Sequence, residues 1–515
     1  MAAVSLAGDL GMGFPLEHAV RVTYVAGRVA RTLGLGAEER WNAFHVSLLH
    51  GIGCTADSHD LARVFGADEI ALKHAGALLD EDDRVAGLRM VVGRAGTAGP
   101  AILRPVALAR SLARGDDAFR EGLRAHCEVG ELLAERVGVP SPARAGLLAL
   151  FERWDGKGVG RIAGSRLPLA ARVFHVAKVA VAHLDVGGPD AAVAAVRGQA
   201  GGALEPRIAE ALLDEAAEGD VLAIAGEPDL VDRTLELEPP ELRIGLDGEA
   251  ENALFEAIAD MADLKSPAFV GHSRGVAALA VDAARRLGLG GAALPTLHRA
   301  ALAHDLGRVA VPNTILDKRG RLTPAEWESI RLHPYHTERI LLRSAVLAPA
   351  AVVAGCHHER LDGSGYHRGV RGADQAPPAR VLAAADACQA LRSVRPYRPA
   401  FSPARAAAIL RADVRDGRLD GDAVEAVIAG AEGRPHHRVG VAGRLSARET
   451  EVLRLLAAGL TTGDVAGRLA ITEKTVRHHV EHVFDKLGVS TRAGAVVAAM
   501  GQGLLADPPA EPGGG

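Results

Sequence analysis

Seven residues in the middle of the chain carry side chains that bind divalent metal ions: His272, His304, Asp305, His333, His357, His358 and Asp386. They recur roughly every 20–30 residues, about one helix plus its connection, so successive helices of a bundle can each send a group inward. All seven are imidazoles or carboxylates, and none is a thiolate. Such a donor set suits Fe, Mn or similar ions better than a structural zinc site. Seven donors are too many for one ion with an open position; they suit two ions with Asp305 bridging. Two such ions can clamp a phosphodiester, acidify a water between them and stabilise the leaving oxygen. A lone histidine in a helical protein is ordinarily a surface or core residue, and His298, His367 and His436 are read that way. The four cysteines, Cys54, Cys127, Cys356 and Cys388, show no paired spacing. That argues against a disulfide framework or zinc knuckle and fits a reducing cytoplasm.

The elements that must hold these groups follow from composition and repetition. Hydrophobic residues make up 48% of the 515 residues but aromatics only 3%, so the cores must be built from Ala, Leu and Val. Ala and Leu are strong helix formers, and the expected fold class is all-α. Leu-Leu-His50-Gly51-Ile-Gly resembles Leu-Ala-His304-Asp305-Leu-Gly, and His18 to Val22 resembles His272 to Val276, both at an offset of 254 residues. Glu152 to Gly158 resembles Glu359 to Gly365 at an offset of 207, and Ala171-Arg-Val173 resembles Ala379-Arg-Val381 at 208. Two copies of one domain are therefore expected, the first with about 47 extra residues between His50 and His126. The expected organisation is a first domain over 1–225, a linker over 226–250, a second domain over 251–432, a linker over 433–443, a third domain over 444–507 and a disordered tail over 508–515. The formal net charge is −5, so any nucleic-acid contact must be local. No signal peptide and no membrane span is expected, and the expected location is the cytoplasm.

The motifs of the second copy make a family resemblance specific. They are Gly271-His272-Ser-Arg, His304-Asp305-Leu-Gly-Arg308-Val-Ala-Val-Pro312, His333-Pro334, His357-His358-Glu359-Arg-Leu-Asp362-Gly363-Ser-Gly365-Tyr366, Ala379 to Asp386, and Arg395-Pro396-Tyr397-Arg398. In this order they resemble an HD-GYP domain of the HD phosphohydrolase superfamily. The resemblance implies a helical bundle with two or three iron or manganese ions that hydrolyses cyclic di-GMP or a related cyclic dinucleotide. It implies His272, His304, Asp305 and Asp386 as the HD quartet, with His333, His357 and His358 completing a second metal. Asp305 and Arg308 would be catalytic, and Arg308, Gly363, Gly365 and Tyr366 would contact substrate. The sequence departs from the family pattern in four places. Arg308 stands where Lys is usual, and His367 follows Gly365-Tyr366 in place of proline. Ala268 occupies the position of an acidic residue that supports a third metal in some members, so two divalent ions, Fe or Mn, are expected. Gln389 replaces a common Asp. Gly271-His-Ser273-Arg-Gly275 also fits a serine-hydrolase elbow, but that motif needs a strand before it in a parallel sheet, and Pro267 interrupts the preceding segment.

The first copy keeps His18, His50 and His126. Gly51 stands in place of Asp305, Leu150 and Phe151 in place of the His pair, and Lys178 in place of Asp386. An ammonium ~4 Å from a divalent ion costs roughly 8 kcal/mol at an effective dielectric of ~20. A metal-free domain used for sensing, dimerisation or structure alone is expected.

Residues 445–505 open with Ser446 and Glu449 as a capping box, with apolar Val452, Leu453, Leu455 and Leu456 as the buried stripe. Gly459 ends that helix, Thr461 or Thr462 starts a short second one, and Thr472 caps a third. The segment resembles the LuxR-type helix-turn-helix in Arg448-Glu449, Glu451-Val-Leu453, Gly459, Val465-Ala466, Leu469, Ile471-Thr472, Lys474-Thr475-Val476, His479, Lys486-Leu-Gly-Val489 and Arg492. The resemblance implies a dimer that inserts Glu473–Lys486 into the major groove. Arg477, His478 and Glu481 would face bases, and Lys474, Thr475 and Arg492 would touch phosphates. The domain is only weakly basic, so Arg434, Arg438 and Arg444 are expected to help.

The function expected from these parts is a cyclic di-GMP phosphodiesterase fused to a DNA-binding transcriptional regulator, acting as a homodimer. Two alternatives stay open: a catalytically weak HD-type sensor of nucleotide or metal that controls transcription, and another phosphohydrolase of the HD class.

Overall fold

The computed structural model describes residues 1–79, 84–225, 227, 230–243, 245, 248–433 and 445–505. Arg434, Arg438 and Arg444, and the tail from 508, lie outside the described residues. The chain divides into two compact units, Met1–Glu251 and Asn252–Gly515. Among the described residues every regular element is helical, and only the isolated bridges Ala200–Leu204 and Arg395–Arg398 are not. The fold is all-α, as the composition predicts.

In the second unit His272–Arg286 is central, with Ala293–Ala303, Pro377–Arg392 and Gly421–Gly433 packed around it. Its buried side chains Val276, Ala277, Leu279, Ala280, Ala283 and Ala284 form one face at helical spacing. Their small size lets neighbouring backbones approach closely. The helix starts at Gly271, whose φ of 77° turns the chain sharply. Asp263, ten residues upstream, is buried and accepts hydrogen bonds from Ser273 N at 2.9 Å and Ser273 Oγ at 2.7 Å. One orphan backbone donor of the helix start is thereby satisfied, and the Ser273 hydroxyl holds the same carboxylate in place.

The first unit repeats these devices. Asp9 accepts from Ala19 N at 2.9 Å, and Glu17 takes a φ of 77° at the position of Gly271. A Cβ on Gly53 would lie 2.0 Å from the His126 carbonyl oxygen, and a Cβ on Gly307 would lie 2.0 Å from the His333 carbonyl oxygen. The shared offset of 254 thus holds for backbone geometry as well as for letters. The extra residues of the first copy form Ser58–Phe65, Glu69–Ala77, Arg84–Arg94 and the start of Arg104–Arg136. They carry a small core of their own around Leu61, Val64, Phe65 and Leu72. Leu169–Gln199 contains an 18-residue window with a mean hydropathy of 1.3, long and apolar enough by composition to cross a membrane. Gly188 breaks its helical backbone, and Val173, Phe174, Val176, Ala177, Ala180 and Val181 are buried within the unit.

At the end of the chain lie Ala447–Ala457, Thr462–Leu469, Glu473–Leu487 and Arg492–Gly501. Ser446 and Glu449 close a capping box, Thr461 does the same with Asp464, and Thr472 accepts from Thr475 N. Gly488, at φ 70°, terminates the third helix one residue later than expected. We expect Gly307→Ala to lower the unfolding free energy by about 3 kcal/mol, the upper end for overpacking, because the clash is with backbone. Gly53→Ala should cost a similar amount. Chemical denaturation of the two variants checks this.

Candidate metal centre and nucleic-acid interface

The seven histidines and aspartates named from the sequence come together inside the second unit. His304 follows directly on Ala293–Ala303, His333 opens His333–Leu341, His357 and His358 follow Ala348–Ala354, and Asp386 lies within Pro377–Arg392. Their donor atoms form three overlapping groups, His272/His304/Asp386, His304/Asp305/His357 and His333/His357/His358, each within 4.8 Å. Asp305 stands between them. Its Oδ2 lies 3.5 Å from His272 Nε2 and 3.0 Å from His304 Nε2, while its Oδ1 lies 3.3 Å from His333 Nε2 and 3.5 Å from His357 Nε2. Asp386 lies 3.1 Å from His272 Nε2 and 4.0 Å from His358 Nδ1.

The imidazoles are locked in one orientation. His304, His333 and His357 each donate from Nδ1 to the carbonyl three residues earlier, on Ala301, Ile330 and Ala354, at 2.5–2.7 Å. This leaves Nε2 of each facing the centre, and a backbone carbonyl behind the ring is the usual support of a metal-binding histidine. His304 Nε2 and both oxygens of Asp305 are buried and lack a well-aligned hydrogen bond. His333 Nε2 and His357 Nε2 face each other at 3.1 Å. Buried donors aimed at common points without partners are what a bound cation satisfies, so the residues fit a metal centre. Burial alone would lower His304, but Asp305 and Asp386 outweigh it and raise the imidazole to about 10. Burial would raise Asp305, yet Arg308 and His304 hold it well below the carboxylate range. Burial pushes His272 and His333 down to about 4.

Residues with a cationic or aromatic face lie next to this centre. Arg308 Nη1 is 2.5 Å from Asp305 Oδ2, and its guanidinium lies 4.2 Å from the centre of the Phe269 ring. Arg395, 6% exposed, lies 4.7 Å from the same ring and donates to the Ala268 carbonyl at 2.8 Å. Burial and the nearby Arg308 lower Arg395 to about 10. The sequence placed Arg395 in a motif without a role; the signal was a polar residue in a set shared with Asp386, and only folding brings it beside Arg308. Tyr366 stacks on His358 with ring centres 4.7 Å apart. A Cβ on Gly365 would sit 2.5 Å from the backbone of His358, Glu359 and Arg360, so the loop closes only with glycine there. Gly363, at φ 80°, lies over the Arg371 side chain.

In the first unit the corresponding residues line one cavity of about 50 Å³, which includes His50, His126, Leu150, Phe151, Phe174 and Lys178. The Lys178 ammonium lies 5.4 Å over the Phe151 ring. His18 is paired with Asp185 at 2.9 Å, so this histidine has exchanged its carboxylate partner.

On the third helix of the C-terminal segment Lys474, Thr475, Arg477, His478 and Glu481 are exposed. Arg477 pairs within the helix with Glu473 at 3.3 Å. Arg492 differs from the rest of this set: it is half-buried, and its guanidinium donates to the Leu456 carbonyl, tying the last helix to the first.

Residues 256–423 match the HD domain family, and residues 444–499 match the luxR family of bacterial regulatory proteins. The chain is 29% identical over 415 residues to a 3′3′-cGAMP-specific phosphodiesterase of Vibrio cholerae, covering 80% of this chain and 89% of that protein. It is 39% identical over 137 residues to a cyclic di-GMP phosphodiesterase of Pseudomonas aeruginosa, covering 26% of this chain and 33% of that protein. A crystal structure of a V. cholerae cyclic GMP-AMP phosphodiesterase superposes with a TM-score of 0.59 at 26% identity, covering 84% of this chain and 97% of that one.

Because His304 is held protonated until a cation displaces its proton, metal uptake at pH 7.5 should release about one proton from it. Calorimetric titration with Mn2+ in buffers of different ionisation enthalpy checks this. Affinity should rise with pH over the range below about 10.

Proposed function

For a chain that carries an HD domain of the HD-GYP type and a luxR-family regulatory domain, we propose a metal-dependent cyclic-dinucleotide phosphodiesterase coupled to DNA binding. The observation that carries this reading is Asp305, whose two oxygens each face a separate histidine group. Residues His272, His304 and Asp386 would hold one ion and His333, His357 and His358 the other, with Asp305 shared. Iron or manganese suits this donor set. When bound, such ions supply Lewis-acid charge to the scissile phosphodiester. The chain's own groups do the rest. Arg308 and Arg395 present two guanidiniums against the Phe269 ring, and these would hold non-bridging phosphate oxygens. Tyr366, stacked on His358, offers an aromatic edge to a base, and Gly363 and Gly365 keep its loop close to the centre. The cyclic dinucleotides named for the relatives, cyclic di-GMP and 3′3′-cGAMP, are the substrates proposed for this chain.

A second reading, a sensor with negligible turnover, is favoured by one observation. Arg308 is engaged with Asp305 at 2.5 Å, where a shorter lysine is usual in the family. The same domain would then bind nucleotide or metal and pass occupancy to the DNA-binding segment. That segment would act as a homodimer, with Arg477, His478 and Glu481 toward bases and Lys474 and Thr475 toward phosphates.

Full-length protein loaded anaerobically with Mn2+ or Fe2+ should convert cyclic di-GMP or 3′3′-cGAMP to linear product, followed by chromatography. Asp305→Ala should lose at least about 100-fold, since even the outer hydrogen-bond partners of metal ligands cost about 10–100-fold. Absence of product from the wild type, with nucleotide still bound, selects the sensor. Genome-wide DNA occupancy should fall in Arg477→Ala by an amount equivalent to about 1–3 kcal/mol at each site; unchanged occupancy removes the base-reading assignment.

A further inference from the structure

The helix proposed to read DNA carries three histidines, and two of them stand side by side on one face. His478 and His482 are four residues apart on Glu473–Leu487, a spacing that stacks side chains on one helix face. Their ring centres are 4.1 Å apart, and both residues are exposed. Behind His482 lies Glu449, its carboxylate oxygen 3.7 Å from His482 Nδ1. Glu449 is only 4% exposed and is fixed from two sides. It accepts from Ser446 N at 2.6 Å as part of the capping box and from Lys486 Nζ at 2.7 and 2.9 Å. Glu449 thus places a fixed negative charge beside one ring nitrogen of His482.

We propose that His478 and His482 form a separate two-imidazole site for a borderline divalent ion of the Zn2+, Ni2+ or Cu2+ class. Imidazole suits these ions, and two protein ligands leave positions open to other donors. The charges on this helix cancel, with Glu473, Glu481 and Asp485 against Lys474, Arg477 and Lys486. An ion on its exposed face adds two positive charges where a polyanion must approach. Its open positions face outward, where purine N7 acceptors line the major groove. Ion binding itself does not depend on the proposed phosphodiesterase activity.

The probe is Ni2+ alone, measured by equilibrium dialysis of the full chain, so that uptake by the central histidines is common to every sample. Wild type should bind one Ni2+ more than His482→Gln. His479→Gln removes a histidine from a different face of the same helix and should match wild type. Equal uptake by wild type and His482→Gln overturns the site, as does loss of the same ion in His479→Gln. Matching thermal unfolding midpoints for the three proteins show that the difference is not a folding defect. Ni2+ should also raise the affinity of wild type for a mixed-sequence duplex more than that of His482→Gln; an equal rise overturns the link to DNA.

Discussion

A buried carboxylate, Asp305, sits between two groups of imidazoles and beside a guanidinium. Burying such a charge is tolerable only if opposite charge surrounds it, because desolvation costs several kcal/mol per ion. The neighbourhood supplies it from His304 and Arg308. The histidines in turn must not rotate toward other partners, and backbone carbonyls three residues earlier hold three of them by Nδ1. The close approach of Leu306–Ala310 to the start of His333–Leu341 depends on Gly307, where a side chain would collide with the His333 carbonyl. The packing of small residues around His272–Arg286 is therefore a requirement of the centre as well as of stability.

The first unit shows what survives when the charge requirement is removed. Its helix starts, its Asp9 cap and its Gly53 contact follow the second unit closely. These are packing devices, and they are needed whatever the centre holds. The residues that met the charge have changed: Gly51 offers no carboxylate, Phe151 fills space, and Lys178 brings an ammonium over that ring. The remaining cavity is lined by apolar groups, by Lys73 and Lys178, and by one carboxylate, Asp57, which is paired with Lys73 at 2.5 Å. Its chemistry has moved away from cation binding while its scaffold has not.

The C-terminal helices pack on two apolar clusters, around Val452 and around Leu453, but local rules set where each begins. Side chains of Ser446, Thr461 and Thr472 each accept a backbone hydrogen bond at a helix start, so short helices are delimited before they pack. This is why their boundaries were legible to within a residue. Arg492 was less legible. Read from the family pattern it faces phosphate, but folding brings within its reach the Leu456 carbonyl, which accepts from the guanidinium as well as from Gly459 N.

The sequence by itself determined the helical class, through Ala, Leu and Val in place of aromatics, and pointed to a duplication, through motifs repeated in the same order at offsets of 254 and then 207–208 residues. It also marked the seven histidine and aspartate side chains that the fold brings together, because residue type and order are enough to single them out. Tertiary structure alone decided which oxygen of Asp305 faces which histidines, that Arg395 and Arg308 share Phe269, and that Glu449 backs His482. These are relations between residues tens to more than a hundred positions apart. No local periodicity encodes them, since they depend on how helices cross and on which rotamers the resulting core admits.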